Sequence, residues 1–219
     1  MAKRPTSATR RATSVSAVRG AASDGWVLLG IVAAVTLIAG VLGPLATPPL
    51  DTRAKPMTMA QARASNAAVP IDPRRRLAAA PYRFRGGPAE RAQAAECLAT
   101  AALYEAGDDA RGQKAVIQVI LNRVRAPGFP RTICGVVYQG YTRATGCQFS
   151  FTCDKSFARR PVHLGWAAAR RAARRALAGR VFTEVGRATH YHADWMVPYW
   201  RDSLAKIARV GSHVFYVRR

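Results

Sequence analysis

The chain has 219 residues, 49% of them apolar, and a formal charge of +22 at pH 7. That length holds one domain of ordinary size with extensions, and the apolar content is enough for a real core. The charge excludes a neutral surface and calls for an acidic partner, whether nucleic acid, anionic lipid or an anionic wall polymer.

Residues 1–25 are polar and basic, with Lys3, Arg4, Arg10, Arg11 and Arg19 against Asp24. The uncharged run "WVLLGIVAAVTLIAGVLGPLA" follows at 26–46 and is long enough to cross a bilayer as a helix. With the basic flank ahead of it, the positive-inside rule makes residues 1–25 a cytoplasmic tail and 26–46 a single-pass anchor in the inner membrane. The rest of the chain is then extracytoplasmic. A cleaved signal peptide, processed after Ala46, is the alternative, although such apolar regions are usually shorter. Most of the surplus charge lies beyond residue 46. An exported basic domain argues against nucleic acid as partner and for an anionic extracytoplasmic polymer.

Residues 47–88 hold seven prolines, many alanines and little periodicity. Such a segment buries too little apolar surface to offset its ordering entropy, so it reads as a linker. The domain spans 89–219. Residues 89–105 have helical spacing, "AGDDARGQ" is a turn, and Asp109 is placed to cap a second helix over 110–124. That second helix is apolar nearly all round and therefore central. "APGFP" ends it. A short segment around "TICGVVYQ" and a loop through Cys153 follow, then a helix over 163–178. "ATHYHADW" and "SHVFYVR" alternate like short strands, while "PYWRDSLAKIA" between them has helical spacing. The fold class is α+β, mostly helical with a small sheet.

Four cysteines suit an oxidising compartment, and four thiols allow three pairings. Cys147 and Cys153 flank a short loop that a disulfide would close, leaving Cys97 and Cys134 to tie the first helix to the segment after the second. No Cys-x-x-Cys pair suggests zinc, and no metal or cofactor is expected.

Glu105 is where chemistry points. Ala94, Leu98 and Ala101 are spaced four and three apart, and Glu105 is the next step of that series. A carboxylate on that face is costly unless compensated. Burial and the helix C-terminus both favour its neutral form. Such a carboxyl group is a general acid of the kind glycoside cleavage needs. No second carboxylate among Asp108, Asp109, Asp154, Glu184, Asp194 and Asp202 has a matching position, which suits a mechanism with one acid that also serves as base.

In "THYHADWMVPYW", His190 and His192 share a face of a strand, with Tyr191, Trp195, Tyr199 and Trp200 close in sequence. This mixture of aromatic surface and polar tips suits a carbohydrate groove. A metal site is the rival for the His pair and needs a third ligand from His163, His213 or Asp194. In "AARRAARRALAGR", Arg170 with Arg174 and Arg171 with Arg175 make a basic stripe on one helix. It is either a solvated face or a hold on an anionic polymer.

Taken with "ALYEAGDDARGQKAVIQVILNRVRAPGFPRTICGVVYQ", "CQFSFTCD" and "GSHVFYVR", the chain over about 92–217 resembles the bacterial cell-wall hydrolases typified by the spore-cortex-lytic enzymes. The resemblance implies a lysozyme-like domain that cuts peptidoglycan between muramic acid and glucosamine by lytic transglycosylation. It places the catalytic glutamate on Glu105. It makes Gln148, Ser150, His190, Tyr191 and His192 groove residues, and Trp200 belongs with them as aromatic surface. This chain departs where the family often has Glu-Ala-Arg-Gly, since Gly107-Asp108-Asp109 follows Ala106 here. The separate wall-binding domain of the spore enzymes is expected to be missing. Wall remodelling carries over, whereas a role in germination does not. The alternative is a non-catalytic peptidoglycan-binding or divisome scaffold.

Overall fold

An alanine-rich helix and a second helix of larger apolar residues form the centre of the domain. The computed structural model describes residues 56–143, 146–154, 156 and 165–219. The basic tail at 1–25 and the apolar run at 26–46 lie outside these residues. Among the described residues no helix is long and apolar enough to cross a membrane.

Helix α1 is Met59–Ala68, α2 is Pro88–Ala106, α3 is Ala110–Arg125, α4 is Ile133–Val137 and α5 is Trp166–Leu177. Strands β1 (His190–Ala193), β2 (Leu204–Val210) and β3 (His213–Arg218) form one antiparallel sheet in the order β1-β3-β2. Helix α2 begins where Pro88 presets the first turn and the Glu90 carboxylate accepts the Gly87 N–H at 2.6 Å. It ends at Gly107, whose N–H still returns to the Leu103 carbonyl at 2.8 Å and whose φ of 52° then turns the chain out of the helix. Ala94, Ala95, Ala99, Ala101 and Ala102 are buried along it, and these small side chains let α3 and α5 pack close. Asp109 caps α3 by accepting the Arg111 N–H at 2.9 Å. From Ala115 to Val124 that helix is wholly buried, so it is the central helix. Helix α5 turns Ala169, Ala173, Ala176 and Leu177 inward.

Cys97 is bonded to Cys134, joining α2 to α4, and Cys147 is bonded to Cys153. The first bridge closes a loop of 37 residues and the second a loop of 6.

Two expectations change. "PYWRDSLAKIA" holds only a 3-10 turn at Arg201–Ser203, after which Leu204 enters β2. Val210 pairs with His213 across Gly211-Ser212, with Gly211 at φ 55°. This two-residue hairpin turn and the β3 ladder override a helical spacing that is only three turns long.

The second change concerns the expected linker. From residue 56 onward it is part of the compact unit Lys55–Arg219. Thr58 and Gln61 form a reciprocal cap on α1. Asn66 Nδ2 donates to the carbonyls of Asp194 (2.8 Å) and Met196 (2.9 Å). Lys206 Nζ donates to those of Asn66 (2.8 Å) and Val69 (2.7 Å). Arg125 and Arg187 serve the carbonyls of Ala80, Pro81 and Ala78. An argument from apolar burial misses this segment because basic side chains of the domain hold its main chain. Asn66→Ala is expected to destabilise the fold by about 1–3 kcal/mol, because it strands one buried and one part-buried acceptor. Urea unfolding of the purified chain measures this, and an unchanged midpoint contradicts it.

Candidate active site

Glu105 sits on the last turn of α2, half-buried, and its Oε2 accepts the Tyr191 hydroxyl at 3.0 Å. Tyr191 lies opposite Phe215 in the β1–β3 register and stacks on it at 5.7 Å between centroids. The sheet therefore presents one fixed phenol to the end of the helix.

A third group completes the site. Arg123 of α3 is 3% exposed. Its Nε donates to the Thr189 carbonyl at 2.7 Å, just ahead of β1. Its guanidinium lies 5.5–5.7 Å from the ring centres of Phe129, Phe149 and Tyr191, a cation–π cage that compensates part of its desolvation. Its Nη1 has no hydrogen-bond partner among the described residues.

Burial raises the pKa of Glu105 above the ordinary carboxylate range, and it outweighs the opposing Tyr191 hydrogen bond and Arg123 charge. Burial also raises the Tyr191 phenol well above its ordinary value, and the negative charge of Glu105 adds to this. Burial lowers the pKa of Arg123, while Tyr191 and Glu105 pull it back up. The acid is thus held toward its neutral form, and its conjugate base meets a hydrogen-bond donor and a nearby cation.

The loop Cys147–Cys153 is anchored beside this centre. Phe149 and Phe151 are buried; Phe149 backs Arg123, and Phe151 stacks on Tyr104 at 4.5 Å, next to Glu105 in sequence. With these two rings inside, Gln148 is half-buried and Ser150 is exposed.

The histidines are elsewhere. Alternation along β1 sends Tyr191 to the helix side and His190 and His192 to the other face. Trp200 covers them there, with its ring 5.6 Å from each imidazole and 5.7 Å from Tyr216. His192 shares hydrogen bonds with the Ala193 carbonyl and the Tyr216 hydroxyl, both at 2.9 Å, so both ring nitrogens are occupied. His190 shares one with Thr189 Oγ1 at 2.9 Å. Burial, with the charges of Arg123 and Arg218, lowers its pKa to about 4, so it is neutral at physiological pH. The structure thus joins Tyr191 to Glu105 by a hydrogen bond, while His190 and His192 pack against Trp200, with the His190 ring also 6.1 Å from Phe129. Asp194 is buried between Arg63 (3.2 Å) and Arg209 (2.6 Å) as a structural ion. Among the described residues no three of His, Cys, Asp or Glu converge as metal ligands; His163 lies outside them.

Sequence reasoning missed Arg123. The signal was there, since Arg123 falls within the stretch of the helix that is apolar nearly all round.

The profile of the Cell Wall Hydrolase family matches residues 107–216. The chain belongs to the cell wall hydrolase family. The matched range of this family begins two residues after Glu105. A spore cortex-lytic enzyme of Halalkalibacterium halodurans is 34% identical over 124 residues, 55% of this chain and 33% of that protein. This cell wall hydrolase chain therefore spans about a third of the length of that curated relative. Two solved structures are also similar. The catalytic domain of the Bacillus cereus SleB protein is 27% identical with a TM-score of 0.47, over 62% of this chain and 95% of that one. The catalytic domain of the germination-specific lytic transglycosylase SleB from Bacillus anthracis is 29% identical with a TM-score of 0.47, over 61% and 99%.

Proposed function

We propose that this cell wall hydrolase cleaves the glycan strand of peptidoglycan between muramic acid and glucosamine, outside the cytoplasmic membrane, with Glu105 as both acid and base. The supporting observation is a carboxyl group whose pKa burial raises, beside a phenol and a guanidinium that steady its anion. In the first step Glu105 gives its proton to the glycosidic oxygen as the bond to the anomeric carbon breaks. In the second the muramic acid's own hydroxyl attacks that carbon and its proton passes to Glu105, which regenerates the acid and leaves an anhydromuramic end.

Five other carboxylates are already engaged, which favours this single-acid scheme over a pair. Glu96 is held by Arg170, Glu184 by Arg111, Asp202 by Arg201 and Asp194 by two arginines, and Asp109 caps α3. Digestion of purified sacculi with the full chain, followed by mass spectrometry of the released fragments, tests the reading. Anhydromuramic ends are expected. Reducing ends would show hydrolysis instead, and no glycan products would leave a non-catalytic wall-binding protein.

A further inference from the structure

A groove of about 440 Å³ runs between α3 and α5, and none of Glu105, Tyr191 or Arg123 lines it. Its apolar floor includes Ile117 and Phe182, and its rim carries Lys114, Arg171, Arg175 and Arg180. Lys114 lies over the Phe182 ring at 5.7 Å. No acidic residue lines it. Of the carboxylates on adjoining segments, Glu96 is engaged by Arg170, Glu184 by Arg111 and Asp109 by the N-terminus of α3. Among the described residues Arg171, Arg175 and Arg180 have no ion-pair partner, and the sequence at 157–164, "FARRPVHL", supplies no acid.

Arg171 and Arg175 are one turn apart on α5, about 6 Å along the axis at 1.5 Å per residue. Arg180 continues the row beyond Gly179, which takes φ 96° to turn the chain. Like charges at this spacing repel one another, and no ion pair among the described residues offsets that repulsion. A row of guanidinium forks over an apolar floor matches a chain of repeated anions better than a single one.

We propose that this groove binds a linear polymer bearing repeated carboxylates or phosphates, through Arg171, Arg175 and Arg180. It is a second site, distinct from the one that cuts. Identifying the polymer as a wall component rests on the function proposed above; the binding itself does not.

The test uses the purified full chain in nonionic detergent, titrated calorimetrically with poly-glutamate and with inorganic polyphosphate at two salt concentrations. The triple variant Arg171→Gln, Arg175→Gln and Arg180→Gln is compared with Arg85→Gln, Arg131→Gln and Arg143→Gln. Both remove three exposed cations, so both lower the net charge equally. The groove triple is expected to weaken binding about 10- to 100-fold and to flatten the salt dependence by about two to three counterions. The control triple should change affinity less than about twofold. Whichever probe binds identifies the anion as carboxylate or phosphate. Equal losses in the two triples would reduce the effect to net charge and overturn the site, as would a failure of both probes to bind. A single-stranded oligonucleotide preferred over both probes, with that preference lost in the groove triple, would overturn the wall-polymer assignment. No bond is cleaved in this assay, so its failure is separable from failure of the Glu105 mechanism. Melting curves confirm that each triple folds.

Discussion

Glu105→Gln is expected to lower glycan cleavage by about 10²- to 10⁴-fold, the usual range for removing a general acid–base group, while making the protein more stable. The two effects share one cause. Burial lifts the carboxyl pKa above the ordinary glutamate value of 4.5, so the folded chain holds this proton more tightly than the unfolded chain does. In the window from 4.5 up to the raised value the folded state binds more protons, and stability falls as pH rises. Above that window the wild-type protein carries the full cost of burying the anion. Glutamine has no charge to bury and its amide oxygen can still accept the Tyr191 hydroxyl. The stability gain should be on the order of 1 kcal/mol at neutral pH, typical of a site where activity is held at the expense of stability, and should vanish in acid. Paired thermal melts at pH 4 and pH 8, with sacculus digestion by the same preparations, measure both halves. Retained cleavage removes Glu105 from the mechanism. Lost cleavage with an equal or lower melting temperature at pH 8 removes the buried-anion account.

How the site follows from sequence depends on the residue. Glu105 is legible because helical spacing alone puts an acid at an apolar step of α2, and α2 forms over almost the residues expected. Tyr191 is legible only in part. The period-2 rule that puts His190 and His192 together also separates them from Tyr191, and only the packing of the sheet decides which face meets the helices. β3 and its turn override the helical spacing of "PYWRDSLAKIA", a long-range pairing that no local pattern reports. Residues 56–88 read as linker because their own apolar content is low. What orders them is distant: Lys206 on β2, and Arg125 and Arg187, all donating to main-chain carbonyls. The basic stripe is legible as a stripe, yet its members differ. Arg170 is paired with Glu96, whereas Arg171 and Arg175 open onto a groove.

Arg123→Met should separate the two halves of the catalytic cycle. Methionine fills much of the same space among Phe129, Phe149 and Tyr191 and removes a buried charge, so the fold should survive; exchanging buried ions for apolar groups of similar volume is often close to neutral. What is lost is the cation that favours the Glu105 anion. Because Arg123 pulls the Glu105 pKa down against burial, its removal lets that pKa rise further. Proton donation needs the neutral acid, so the alkaline limb of the pH–rate profile should move to higher pH. Proton uptake from the attacking hydroxyl needs the anion, now less stabilised, so the maximal rate should fall by about 10- to 100-fold. Tyr191→Phe should shift the alkaline limb in the same direction, because it removes the hydrogen bond that also lowers the Glu105 pKa. An inert structural arginine gives a different pattern, with the rate falling only as far as the folded fraction does and the pH limb staying in place. The decisive measurement is therefore the full pH profile of initial cleavage rates on sacculi for both variants, each normalised to its folded fraction by circular dichroism. An unmoved alkaline limb in Arg123→Met would leave the arginine as packing, and Glu105 would then be tuned by burial and Tyr191 alone.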